Sequence, residues 1–321
     1  MDRGLAPRGI GALLDGAIDL YRRGWKPLAA ASLIVAGPAA LVVSIAQVFY
    51  MRGYLEFLPT IRDWRSGIDP ESFRQLMLPS TLSSTVSPLY WLATMFVAAC
   101  VYASAPALQA GETLTLRGVF RAGRGRYVHL LGVSVLSLMA VEATYIVSAL
   151  AGMIPVIVFA LLSPLTMWVT IPLYVVLLLV PAPYVACRLA LAPSVTVLEG
   201  AGVVDSIRRS WRLTAHRWGR VLGFFICFSL ISFAVQGALN SPAAVRQLVD
   251  SIRDPQAVFR ELSWGWKAFE GLLSATSVSL ALPFTHLAWY GLYVDTRARA
   301  EGMDLLARAR ALVAARGTEA A

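Results

Sequence analysis

Five long stretches of this chain carry almost no charge, and their lengths constrain the fold more than any motif does. Twenty-five uncharged residues separate Lys26 from Arg52, and 37 separate Arg74 from Glu112. From Tyr127 to Cys187 there are 61 residues with a single acid, Glu142. Another 25 lie between Arg220 and Arg246, and 24 between Glu270 and Asp295. A bilayer-crossing helix needs about 20 consecutive apolar residues. Composition agrees: 57% of residues are hydrophobic, 15% are charged, and mean hydropathy is +0.64. Soluble domains run at about 45–50% apolar and about 25% charged. A disordered chain and an ordinary soluble enzyme are therefore both excluded as expectations.

Four of the stretches accommodate one helix each, at about 28–50, 87–109, 221–240 and 272–294. As one helix, the 61-residue stretch would run about 90 Å, so it reads as a hairpin, about 128–151 and 165–187. Its break is expected within Gly152–Pro164, where Pro155 and Ser163-Pro164 punctuate the run. The expected fold class is all-α: six transmembrane helices as three hairpins, with residues 1–294 as one membrane domain and 295–321 as a tail.

Segments 1–26, 110–126, 188–220 and 295–321 hold 20 of the 28 Lys/Arg and ten Asp/Glu; segments 51–86 and 241–271 hold eight of each. Basic residues near span ends stay on the cytoplasmic side, so both termini are expected to be cytoplasmic. The net charge of +9 thereby becomes a matter of topology and anionic headgroups rather than of nucleic acid. Residues 1–27 lack an apolar h-region, so no cleavable signal peptide is expected. Of the basic residues 26 are Arg, a usage that points to a high-GC bacterial genome and an inner-membrane location.

Each odd-numbered span is preceded by the same spacing: Gly, then an aliphatic, an apolar, an aromatic and an aliphatic residue. The copies are Gly9, Leu14, Ile18, Trp25, Leu28; Gly111, Leu116, Phe120, Tyr127, Leu130; and Gly202, Ile207, Trp211, Trp218, Val221. The apolar pair, four apart, shares one helix face. In the first copy Ile10, Leu13, Leu14, Ala17, Ile18 and Tyr21 lie on one side, with Asp15, Asp19, Arg22 and Arg23 towards the other. This predicts three units, about 9–109, 111–187 and 202–294, each a cytoplasmic amphipathic interfacial helix followed by a hairpin. The second copy is the weakest helix on paper, because Gly118, Gly123 and Gly125 interrupt it. Outside, Asp69-Pro70 and Asp254-Pro255 read as N-cap and N1 of short helices, as does Ser241-Pro242.

Glu142 is the one charged side chain expected inside a span, and such groups face a cavity, a partner or a proton. His286, after Pro283, is the second intramembrane ionisable candidate, at a depth about 9 Å from that of Glu142. Candidates for anionic lipid or a protein partner are Arg208, Arg209, Arg212 and Arg217, with Arg22 and Arg23. Cys100, Cys187, Cys227 and His129, His216, His286 lack metal-ligand spacing, so neither a metal nor another cofactor is expected. No phosphate loop, dinucleotide fingerprint or nucleophile elbow occurs.

Leu191-Ala192-Pro193, Val197-Leu198-Glu199-Gly200, Ser206-Ile207-Arg208-Arg209-Ser210-Trp211-Arg212-Leu213 and Leu292-Tyr293-Val294-Asp295-Thr296-Arg297 carry a resemblance, together with Leu14-Asp15-Gly16-Ala17-Ile18-Asp19-Leu20-Tyr21-Arg22-Arg23. They resemble the bacterial six-helix family named for the membrane domain of glycerophosphoryl diester phosphodiesterase. The resemblance implies an integral membrane protein. The soluble barrel of some members would need roughly 250 residues, and His216-Arg217 is followed by Trp218 rather than the Gly of that barrel's active site. The expectation is thus a non-enzymatic membrane protein that binds lipid or supports the envelope. A small transporter using Glu142, or a scaffold for a separately encoded enzyme, are the alternatives.

Overall fold

The computed structural model describes residues 9–47, 70–162, 167–239 and 264–302, with five isolated positions between 241 and 252. Among the described residues the regular structure is helical throughout. Helix α1 is Ile10–Val35 and α2 is Gly37–Gln47. They are followed by α3 (Pro70–Gln109), α4 (Leu116–Arg124) and α5 (Tyr127–Leu162). Next come α6 (Met167–Leu179), α7 (Pro181–Leu189), α8 (Ala192–Glu199) and α9 (Val203–Leu213). The last two are α10 (Trp218–Leu239) and α11 (Trp264–Glu301). Five stretches are long and apolar enough to cross a membrane: Ser84–Gln109, Tyr127–Val158, Trp168–Glu199, Trp218–Leu239 and Ala268–Glu301. The bent pair α1–α2 makes a sixth if it counts as one span.

Four boundaries differ from the sequence expectation. The amphipathic segment of the first repeat does not stop before its span, because α1 runs through Pro27, which removes one ladder bond without breaking the helix. The bend of 57° comes later, at Ala36-Gly37-Pro38, where proline and glycine coincide. Pro70 does open a helix, yet that helix continues for 40 residues to Gln109 with no separation from the span. Similarly, α5 passes Pro155 and reaches Leu162; Ser163-Pro164 and Asp254-Pro255 lie outside the described residues. Finally, α11 continues past Val294 to Glu301, so 295–301 is packed helix rather than tail, with Asp295, Thr296 and Ala298 buried.

The chain divides into two compact units, each discontinuous in sequence. One comprises residues 1–19, 125–228 and 288–321. Its core includes Leu13, Leu14, Leu130, Leu191, Val195, Leu213, Val221, Phe224 and Leu292. Gly152 lets α5 approach α6, since a Cβ there would sit 2.5 Å from the Tyr174 ring. The outer faces of α5 and of the first part of α10 are apolar and uncovered, with Leu138, Met139, Ile146, Phe225 and Ile226 exposed. Such faces suit hydrocarbon and not water.

The other unit comprises residues 20–124 and 229–287. Here Phe120 of α4 stacks on Phe96 of α3, and Gly123 meets Cys100. A Cβ at position 123 would lie 2.4 Å from the Cys100 sulfur and 2.9 Å from its backbone. The glycine that weakens α4 on paper is therefore what allows it to lie against α3. Tyr21 donates to the Leu280 carbonyl at 2.9 Å, and Gly271 admits Ile45.

The repeat leaves one regular mark. Its closing aliphatic residue is buried in all three copies (Leu28, Leu130, Val221), whereas Trp25 and Trp218 of its aromatic position are exposed.

Candidate functional site

Helix α9 organises the site. Ser206, Ser210 and Leu213 form its buried face, small enough for close approach, and Asp205, Arg208 and Arg212 are exposed. Ile207 and Trp211, the apolar pair of the third repeat, line a groove of about 510 Å³ with Asp205, Arg208 and Arg212. Core packing took the hydroxyl face, because hydrogen bonds were available there. The Ser210 hydroxyl donates to the Arg188 carbonyl at 2.8 Å, and the Thr214 hydroxyl does so at 3.2 Å. These bonds satisfy a carbonyl of the last turn of α7 that its own helix leaves open.

Arg188 itself is the unusual member. It is only 5% exposed, and its guanidinium carbon lies 4.5 Å from the Trp211 ring centre and 5.9 Å from that of Tyr184. Among the described residues its Nε and Nη1 have no hydrogen-bond partner. Tyr184 also meets Trp218 edge-on at 5.5 Å, so exposed aromatics form a layer over the buried cation.

Beside this layer lies a lattice of ion pairs. Glu199, closing α8, accepts from the Tyr293 hydroxyl at 2.7 Å and from Arg209 Nε at 3.2 Å. Arg209 also pairs with Glu301, which accepts from Arg297 Nε at 2.9 Å. Asp295, its side chain 1% exposed, accepts from Arg220 at 2.8 Å and from Arg299 at 2.9 Å. Arg217 donates to the Arg299 carbonyl at 2.9 Å. The lattice thus ties α8, α9 and α10 to the end of α11. Gly200 ends α8 in a left-handed conformation (φ 68°), and its carbonyl accepts from Arg126 at 3.1 Å.

The predicted arginines separate into two groups. Arg208 and Arg212 are exposed, as are Arg22 and Arg23 on α1, and none of the four forms an ion pair among the described residues. Arg209 and Arg217 are turned inward and used in packing. Glu142 is exposed on the outer side of α5, next to exposed Met139, Tyr145 and Ile146. His286 belongs to the other unit, with its ring edge-on to Tyr102 at 5.4 Å and both nitrogens shielded without a partner among the described residues.

Arg188, Glu199, Asp295 and Tyr293 were not among the predicted site residues. Tyr184 and Arg188, four apart at the end of an almost charge-free run, were the available signal for the first. The others lay in segments noted only for their likeness to a family.

Fold and site together define an all-helical protein of multi-span membrane type, with an arginine-rich face built on α7, α9 and the end of α11. The chain belongs to the family described as Domain of unknown function (DUF7847), whose model matches residues 17–288. No curated protein and no solved structure matches it.

Proposed function

We propose that this is a multi-pass protein of a bacterial cytoplasmic membrane that binds anionic phospholipid headgroups without catalysing a reaction, supporting the envelope. In this reading both termini are cytoplasmic, and the amphipathic repeats lie at headgroup level ahead of three hairpins. The observation that carries it is the α9 groove. Arg208 and Arg212 flank Ile207 and Trp211 there, so cations with no ion pair among the described residues stand beside apolar and amphipathic surface. Cations of that kind find their counter-ions in phosphate oxygens, and an exposed indole suits the interfacial zone. The repeated exposure of Trp25 with Arg22, Arg23 and Lys26 on α1 supports the same placement. The resemblance to the membrane domain of glycerophosphoryl diester phosphodiesterase enters as part of the proposal, since it too implies a membrane-integral role.

The test is lipid retention after gentle purification, read by native mass spectrometry. Arg208→Ala with Arg212→Ala should lower retained phosphatidylglycerol relative to phosphatidylethanolamine. Equal retention by wild type and double variant would reject the reading and leave the arginines as topology signals only.

A further inference from the structure

Arg188 is a buried cation, and two of its three guanidinium nitrogens lack an acceptor among the described residues. Its Nε and Nη1 are shielded from solvent, and among the described residues they have no acceptor. Among the described residues no acid pairs with it, although Glu199, Asp295 and Glu301 in the same unit are each shared by arginines. What covers it is aromatic: Trp211 at 4.5 Å and Tyr184 at 5.9 Å. Cation–π contact partly offsets the loss of hydration but supplies no acceptors. The backbone of Arg188 is held by Ser210 and Thr214 of α9, the helix whose opposite side carries Arg208 and Arg212. Trp211 belongs to both settings, since one ring lies against Arg188 and also lines the groove.

We infer that the groove on α9 is the mouth of a phosphate site, that Arg188 is its inner seat, and that Trp211 is the shutter between them. The inference rests on the lipid-binding reading and deepens it by naming the recognised group and the deciding residue. Arg208 and Arg212 draw the anion to the mouth. Displacement of the Trp211 ring then uncovers the Nε and Nη1 donors of Arg188, which have no acceptor among the described residues and which phosphate oxygens can fill. Asp205, the one acid lining the groove, repels carboxylate and phosphate ligands alike, so the arginines supply the selection. The phosphate can come from a phospholipid headgroup or from a soluble phosphate ester, and the chemistry at Arg188 is the same.

The experiment uses the full chain in phosphatidylcholine nanodiscs doped with phosphatidylglycerol. Native mass spectrometry measures retained phosphatidylglycerol for wild type, Arg188→Gln and the Arg208→Ala/Arg212→Ala pair. Arg188→Gln is expected to lower retention about tenfold. If the mouth pair loses retention while Arg188→Gln matches wild type, the inner seat is refuted and the lipid-binding reading survives. If neither loses retention, both fall. Inorganic phosphate and glycerol phosphate are titrated in parallel: competition assigns the seat to a free phosphate group, and its absence assigns it to the lipid. Should Arg188→Gln fail to fold, Trp211→Ala provides the decision through phenylglyoxal labelling of Arg188, mapped by peptide mass. Labelling should rise when the indole is removed and fall again with phosphatidylglycerol; labelling equal to wild type, or unaffected by the lipid, would overturn the shutter.

Discussion

Replacing Asp295 with alanine tests whether the ion-pair lattice holds α11 against the neighbouring helices. The carboxylate is 1% exposed and accepts from Arg220 at 2.8 and 3.1 Å and from Arg299 at 2.9 Å. Removing one partner of a buried pair costs about 3–5 kcal/mol, because the surviving charge is left without compensation. The arginine side chains retain 23% and 28% exposure, so water recovers part of that cost and the lower end, about 3 kcal/mol, applies. The assay is reversible unfolding in mixed detergent micelles with increasing dodecyl sulfate, followed by circular dichroism. The couplings supply a second check. Once Asp295 is gone, Arg220→Ala should cost less than it does in the wild type, because part of its effect is the interaction both substitutions remove. A loss below about 1 kcal/mol, the range of exposed pairs, would refute the reasoning, and so would strictly additive costs.

Gly123→Val should sharply lower the yield of folded protein on size-exclusion chromatography, since its Cβ would strike the Cys100 backbone. Gly219→Ala, in a helix with nothing within 4 Å, should instead stabilise by about 0.5–1 kcal/mol in the same unfolding assay. Glu142→Leu should leave the fold intact and favour membrane insertion by about 2.5 kcal/mol, measured in a translocon insertion assay; a loss of folded protein would show that the exposed acid has a partner in the membrane. In mild detergent a small thiol reagent should modify exposed Cys227 before buried Cys100 and Cys187, read by peptide mass.

The helical class and five of the six expected apolar segments were legible in the chain, the sixth depending on the bent α1–α2 pair, because charge-free length is a local property and a bilayer-crossing helix must satisfy its own backbone. The repeat spacing could be read in the chain, whereas the burial of its closing aliphatics Leu28, Leu130 and Val221 came only with the packing. Element boundaries were not. Pro27 and Pro155 lie inside helices that neighbouring contacts sustain, and whether a proline ends a helix or only costs one bond depends on that packing. Gly123 counted against a helix until its position against Cys100 gave it a purpose.

The arginines show the division most clearly. Arg208, Arg209, Arg212 and Arg217 are equivalent as charges along a chain, and sequence grouped them as one basic segment. Helix geometry spreads them around an axis, and only the packing of α9 against α7 and α11 decided which would meet acids and which would meet solvent. Arg188 carried no distinguishing mark beyond Tyr184 one turn before it. Its burial beneath Trp211 joins residues far apart in the chain, and no local pattern encodes such a meeting. Sequence determined that this chain forms helices long and apolar enough to cross a membrane, joined by basic connections; tertiary structure decided which cations were spent on the fold and which stayed exposed, because pairing depends on distance in space.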